Sequence, residues 1–174
     1  LLVISLLLVF IVMASQFESF TMPFVIMFSI PFAFTGVLLA LFITNTTLSL
    51  VAGLGAVLLI GIVVKNGIVL IDFTNLMRDR GLELNEAVAV SGKSRLRPVL
   101  MTAATTILGM MPLALSTGEG AELWRPMGIT VIGGLVFSTI VTMVIVPVMY
   151  GLMVRKSGRK KKYKVARHFR FMEE

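Results

Sequence analysis

Five apolar runs divide the chain. They cover 1–14, 22–44, 48–73, 99–116 and 127–154, and all but the first are long enough for a helix to cross a bilayer. The pattern predicts transmembrane helices over 22–44, 48–75, 98–117 and 126–154, with a truncated transmembrane helix over 1–14. Pro98 and Pro126 stand at helix starts, where a missing N–H costs nothing. Asn45, Thr46 and Thr47 form a polar connector short enough for a turn between antiparallel helices, and Gly118-Glu119-Gly120 signals another. Pro31, Pro112 and Pro147 lie inside apolar runs, which membrane helices tolerate as kinks. The chain opens on Leu1 directly in apolar residues, with no basic segment and no small-residue cleavage site. It does not read as a signal peptide. The expectation is that the first helix is cut by the start of the sequence, so that function must be read from part of a larger machine.

The charges orient these helices. With five crossings, the segments 15–21, 76–97 and the tail from Arg155 share one side and hold fourteen Lys and Arg. The segments 45–47 and 117–125 share the other side and hold one. The positive-inside rule makes the first side, and the C-terminus, cytoplasmic. On that side the stretch 81–97 reads as a cytoplasmic amphipathic helix on the membrane surface. Leu84, Val88 and Ser91 follow helical spacing with Ala87 beside them, Glu83 and Glu86 near the start, and Lys93, Arg95 and Arg97 at the end. It reads equally as a plain connector. The basic cytoplasmic tail, 155–174, carries nine Lys and Arg and reads as a lipid-attracted anchor that enforces topology.

Composition narrows the class. The chain has 174 residues, 57% hydrophobic and 14% charged, against about 45–50% apolar and about 25% charged in soluble domains. A soluble enzyme, a disulfide scaffold and a disordered tail are excluded. The fold class is an all-α membrane protein, a bundle of transmembrane helices. There is no Cys, and the one His, His168, lies in the tail, so no metal ligand set and no cofactor is indicated. The net charge of +7 sits at the ends of membrane segments and does not point to nucleic acid.

The candidate chemistry lies inside the membrane. Lys65, in LLIGIVVKNGIVLIDF, is flanked by apolar residues on both sides. An ammonium near mid-bilayer costs on the order of 3 kcal/mol on insertion scales and more in simulations. It persists when paired, neutralised or facing water within a bundle. Asp72 is the one acidic candidate at helical spacing, but seven residues place it about 10 Å along the axis. The partner carboxylate is therefore expected on a helix outside this chain. Such a pair suits a proton relay, because protonating the acid releases the Lys. The alternative is a structural Lys held by backbone carbonyls. Asn66 is either a relay member or interhelical glue. Thr102, with Thr105 and Thr106 near it, lies at a depth similar to Lys65 if the two helices pack together. Alone, such a hydroxyl bonds its own helix backbone. Arg95 and Arg97 mark the cytoplasmic mouth of that helix, either snorkelling or, for one of them, pointing inward to gate proton exit. Small residues such as Gly53, Gly67, Gly133 and Gly134 suit close helix approach, and the 12 Met suit adaptable packing.

Five strings then occur in order: ASQFESF, IGIVVKNGIVLIDF, EAV followed by SRLRPVLMTAATTILGMMPLAL, STGEGAELWRPMGI, and VIVPVMY. Together, over residues 1–155, they resemble the C-terminal membrane half of a resistance-nodulation-division (RND) exporter, and most closely its hydrophobe/amphiphile, multidrug branch. The resemblance implies an incomplete second-half membrane repeat, the last five of twelve helices of a homotrimeric inner-membrane pump. It implies drug:proton antiport, with a periplasmic adaptor and an outer-membrane channel as partners in a Gram-negative cell. It implies, too, that the intramembrane acidic residues lie in the N-terminal part of the same polypeptide. By residue, the KN motif corresponds to Lys65, the Arg opening RLRP to Arg95 and the Thr of PVLMT to Thr102, all proton-relay positions. Asn66 and Asp72 are supporting positions. The other readings are a pump of the metal or lipid branch, or a non-transporting assembly or lipid-interaction fragment. An intramembrane enzyme has no GxSxG, HExxH or Asp-pair motif to support it, so a secondary active transporter is expected.

Overall fold

The computed structural model describes residues 2–17 and 20–156, with side chains to 154. The basic tail read over 155–174, with His168, lies outside the described side chains. Among the described residues six helices follow one another: α1 Leu2–Phe17, α2 Thr21–Met27, α3 Ile30–Ile43, α4 Leu50–Asp79, α5 Leu84–Ala114 and α6 Ala121–Lys156. Four stretches are long and apolar enough to span a membrane: Thr21–Ile43, Leu50–Asp79, Leu84–Ala114 and Ala121–Val154. The chain is an all-α, multi-pass membrane protein.

The boundaries differ from the sequence expectation where proline and capping decide them. The run 22–44 is broken into α2 and α3. Pro31 has no N–H for the next helical bond, and it enters α3 in the first turn. At the break the buried Ser29 donates to the Ile26 carbonyl twice, through its amide at 3.0 Å and its hydroxyl at 2.6 Å. The stretches 81–97 and 98–117, read as two helices, form one. Helix α5 passes through Pro98 without a break. A proline removes one backbone bond, and a membrane helix that unwound there would leave several unmet. Helix α6 likewise starts before Pro126 and passes through it.

Helix ends follow local chemistry. Ser49 caps α4 by accepting from the Ala52 amide at 3.1 Å. Asn45, at φ +53°, closes α3, and Gly81, at φ +94°, closes α4. In each case the next amides turn back onto the last carbonyls: Thr46 N–H to Leu41 O at 3.0 Å, and Leu82 N–H to Met77 O at 3.3 Å.

Helix α6 is the axis of the bundle and packs on α3, α4 and α5. Its contact with α3 is close because glycines face each other. A Cβ on Gly36 would come within 2.9 Å of the Gly133 carbonyl oxygen, and one on Gly134 would strike Leu59 and Val37. Two apolar cores result. One joins α1, α2, α4 and α6 through Met13, Ile26, Ile60, Ile71 and Val146. The other joins α3, α4, α5 and α6 through Val37, Leu59, Val63, Ala103 and Leu135. Helix α5, in contrast, buries only Ala87, Ser91, Val99 and Ala103.

Candidate functional site

Helix α4 has an exposed stripe. Leu54, Leu58, Gly61, Lys65, Asp72 and Asp79 are all exposed and recur at spacings of three, four or seven residues, one face of a helix. Lys65 therefore stands among apolar neighbours on a face that the described residues do not cover. It makes no hydrogen bond or ion pair with the described residues. Asp72 shares the face without reaching Lys65, as the axial distance of about 10 Å requires. Asn66, the next residue, is half-buried.

Arg95, half-buried, meets an aromatic ring. Its guanidinium lies over the Phe73 ring, 4.4 Å from the centroid, and its Nε is buried without a hydrogen-bond partner. The flat cation replaces lost hydration with the ring face. This contact ties the first half of α5 to α4 at the residue next to Asp72, and it sets the register. The two helices are joined by the short turn at 80–83 and pack together. Lys65 precedes Phe73 by eight residues, so its level on α5 is near Ala103, beside Thr102. Thr102 is exposed, like Lys65. Its hydroxyl donates to the Pro98 carbonyl at 2.9 Å, and those of Thr105 and Thr106 donate to Met101 and Thr102 carbonyls at the same distance. The donor of each is engaged by its own helix, while oxygen lone pairs remain for an incoming donor.

Helix α6 completes the level. Tyr150 meets Asn75 across an offset of 75 residues, and Gly134 meets Leu59 across the same offset. Lys65 thus lies level with the buried Ser138, Thr139 and Thr142. Ser138 and Thr139 donate to the Leu135 carbonyl, at 3.3 and 2.6 Å, whereas Thr142 Oγ1 is buried without a partner. Hydroxyls on α5 and α6 thus form a layer, by axial level, at the height of the ammonium.

Toward the other end of α4 stands a cluster that sequence reasoning missed. Tyr150, 1% exposed, donates its phenolic proton to Asn75 Oδ1 at 2.6 Å and accepts from Arg78 Nη1 at 3.2 Å. Phe73 was missed as well. Both aromatic residues stand within the quoted strings IDF and VPVMY, but no periodicity tells which polar group each will meet.

Taken together, the apolar helix bundle, with a lysine exposed among apolar residues of its second long helix, defines a multi-pass membrane protein. Residues 1–154 match the AcrB/AcrD/AcrF family. The chain is 42% identical over 153 residues to the cobalt-zinc-cadmium resistance protein CzcA of Cupriavidus metallidurans, covering 88% of this chain and 14% of that protein. It is 43% identical over 157 residues to the multidrug resistance protein MdtC of Erwinia amylovora, covering 90% and 15%. The swarming motility protein SwrC of Bacillus subtilis is 44% identical over 155 residues, covering 88% and 14%. Among solved structures, a heavy metal efflux pump superposes with a TM-score of 0.77 at 35% identity, covering 86% of this chain and 14% of that one. The chain belongs to the AcrB/AcrD/AcrF family, within the RND superfamily. It spans about one-seventh of the length of these relatives.

Proposed function

We propose that this chain is the C-terminal membrane part of a proton-driven RND exporter and supplies the cationic half of its proton relay. The observation that carries the reading is Lys65, exposed on an apolar face of α4 at the level of a hydroxyl layer. An ammonium there needs a carboxylate to be tolerated. In this reading the carboxylate comes from the N-terminal part of the same polypeptide. Protonating it frees Lys65 to turn toward Thr102, whose lone pairs can accept. Arg95, held on Phe73 beside Asp72, stands at the cytoplasmic mouth of the route. Asn66 and Asp72 support the path by hydrogen bonding and charge. The protein is a secondary active transporter of the cytoplasmic (inner) membrane, with its C-terminus in the cytoplasm. The functional unit is a homotrimer, joined in a Gram-negative cell to a periplasmic adaptor and an outer-membrane channel.

The exported class in this reading is hydrophobic and amphiphilic compounds, supported by the KNGIVLIDF and STGEGAELWRP strings and the likeness to MdtC. A metal cargo is the second reading, favoured by the likeness to CzcA and to a heavy metal efflux pump. One experiment addresses both. Cells lacking their own exporters receive the complete transporter, wild type or Lys65→Ala, and are challenged with ethidium and with Zn2+ or Co2+. The expected result is protection against ethidium that Lys65→Ala abolishes at equal membrane abundance. Protection against the metals alone moves the cargo to the second reading. Full protection by Lys65→Ala would defeat the relay.

A further inference from the structure

We propose that the end of α6 beyond Pro147 is a hinged arm, held against α4 by the Tyr150 hydroxyl, whose open position lies in a groove beside the start of α5. Three separate observations carry it. The first is the hinge. Pro147 lies inside α6, so the Met143 carbonyl has no amide to accept from and the helix is weakest there.

The second is the clasp. Three residues past the hinge, Tyr150 makes two side-chain bonds to α4, one given to Asn75 and one taken from Arg78. Asn75 lies one turn beyond Asp72, so the clasp grips α4 between the exposed Asp72 and Asp79. The hydroxyl is buried with its residue, and a buried phenol that lost both bonds would carry a desolvation cost.

The third is the room. A groove of about 330 Å³ runs along α6 on the side of Leu84, Asn85 and Val88, lined on α6 by Pro147, Val148, Gly151 and Leu152. At about 100° per residue, Val148 and Leu152 lie on the side of α6 opposite Tyr150. The arm is therefore bonded on one face and unfilled on the other. A Cβ built on Gly151 meets nothing within 4 Å, so the arm can be filled out there without a clash. The apolar contacts that remain run through the Tyr150 ring, Met149, Met153 and Val154, and the two thioether chains among them repack at low cost. Release of the clasp then lets the arm move toward α5, and a shift of α4 at Asp72 reaches the end of α6 through one hydroxyl.

Hydrogen exchange of backbone amides in the complete transporter, held in lipid nanodiscs, tests the proposal without a substrate. Tyr150→Phe keeps the ring and removes both bonds. It is expected to speed exchange over 148–154 roughly tenfold and to leave 128–142 at the wild-type rate. Asn75→Leu is expected to do the same, and Asn75→Asp, which keeps the acceptor, to stay near wild type. A role in packing alone reverses that order, since Leu is the apolar substitute. Adding Gly151→Leu to Tyr150→Phe fills the groove and is expected to restore protection beyond what Gly151→Ala gives by helix propensity alone. Wild-type exchange in both Tyr150→Phe and Asn75→Leu, or an equal rise along all of α6, overturns the hinged arm. Neither result bears on Lys65, so the arm and the proton relay stand or fall separately.

Discussion

At the residue scale the proposed relay turns on how two cations, Lys65 and Arg95, are held. Lys65 makes no bond within the described part of the chain, while Arg95, at the bundle edge, has a ring to lie on. The contrast is physical. A guanidinium is weakly hydrated and stacks on an aromatic face, whereas an ammonium is a strongly hydrated point charge that needs an anion. Replacing Arg95 by Lys should therefore not be conservative. The expected outcome of Arg95→Lys is a transporter of normal abundance with transport reduced several-fold, and Phe73→Leu should reduce it similarly. Uptake of ethidium into inverted vesicles under an imposed pH gradient measures both. Thr102 separates two roles of one hydroxyl. Its bond to the Pro98 carbonyl is a helix-internal detail that Val can lose at little cost. Transport should thus survive in Thr102→Ser and fall at least tenfold in Thr102→Val only if the oxygen receives a proton or the Lys65 ammonium. Equal rates in the two variants would remove Thr102 from the route.

Proline and glycine decide more at the element scale than hydrophobicity does. Pro31 splits one apolar run into α2 and α3, yet Pro98 fails to split α5. The two differ in what surrounds them. At the first break the Ser29 amide and hydroxyl both turn back onto the buried Ile26 carbonyl, whereas at Pro98 the Thr102 hydroxyl donates to the Pro98 carbonyl within the continuing helix. Glycine acts where helices cross. Gly36→Leu, whose Cβ would meet the Gly133 carbonyl and Phe137, should separate α3 from α6 and cost more than about 2 kcal/mol. Gly53→Ala, with nothing within 4 Å of its Cβ, should be neutral or slightly stabilising. Thermal unfolding of the two variants in detergent checks the contrast. The existence and type of the long helices were legible in the sequence, because an 18-residue apolar stretch has few other fates. Lys65 stands out in the sequence for the same reason, as a charge within such a stretch. The Phe73–Arg95 and Tyr150–Asn75 pairings were not, because they depend on the register between helices, which no single helix encodes.

For the whole molecule, the lopsided burial of α4 and α5 is the feature to explain. Helix α6 is wrapped by its neighbours, whereas α5 and one face of α4 are left open with charge on them. In the proposed reading those open faces meet the first half of the transporter. The orientation read from the Lys and Arg distribution has its own check. Reporters fused after α6 and within the turn at 45–49 should report the cytoplasm and the opposite side respectively; the reverse pair would invert the proposed topology. The central claim concerns the open face. A structure of the complete transporter at a resolution that shows side chains measures it directly, as the distance from Lys65 Nζ to the nearest Asp or Glu oxygen of the first half. The account predicts about 4 Å or less in at least one state of the cycle. An ammonium turned to lipid, with no carboxylate near it in any state, would contradict it.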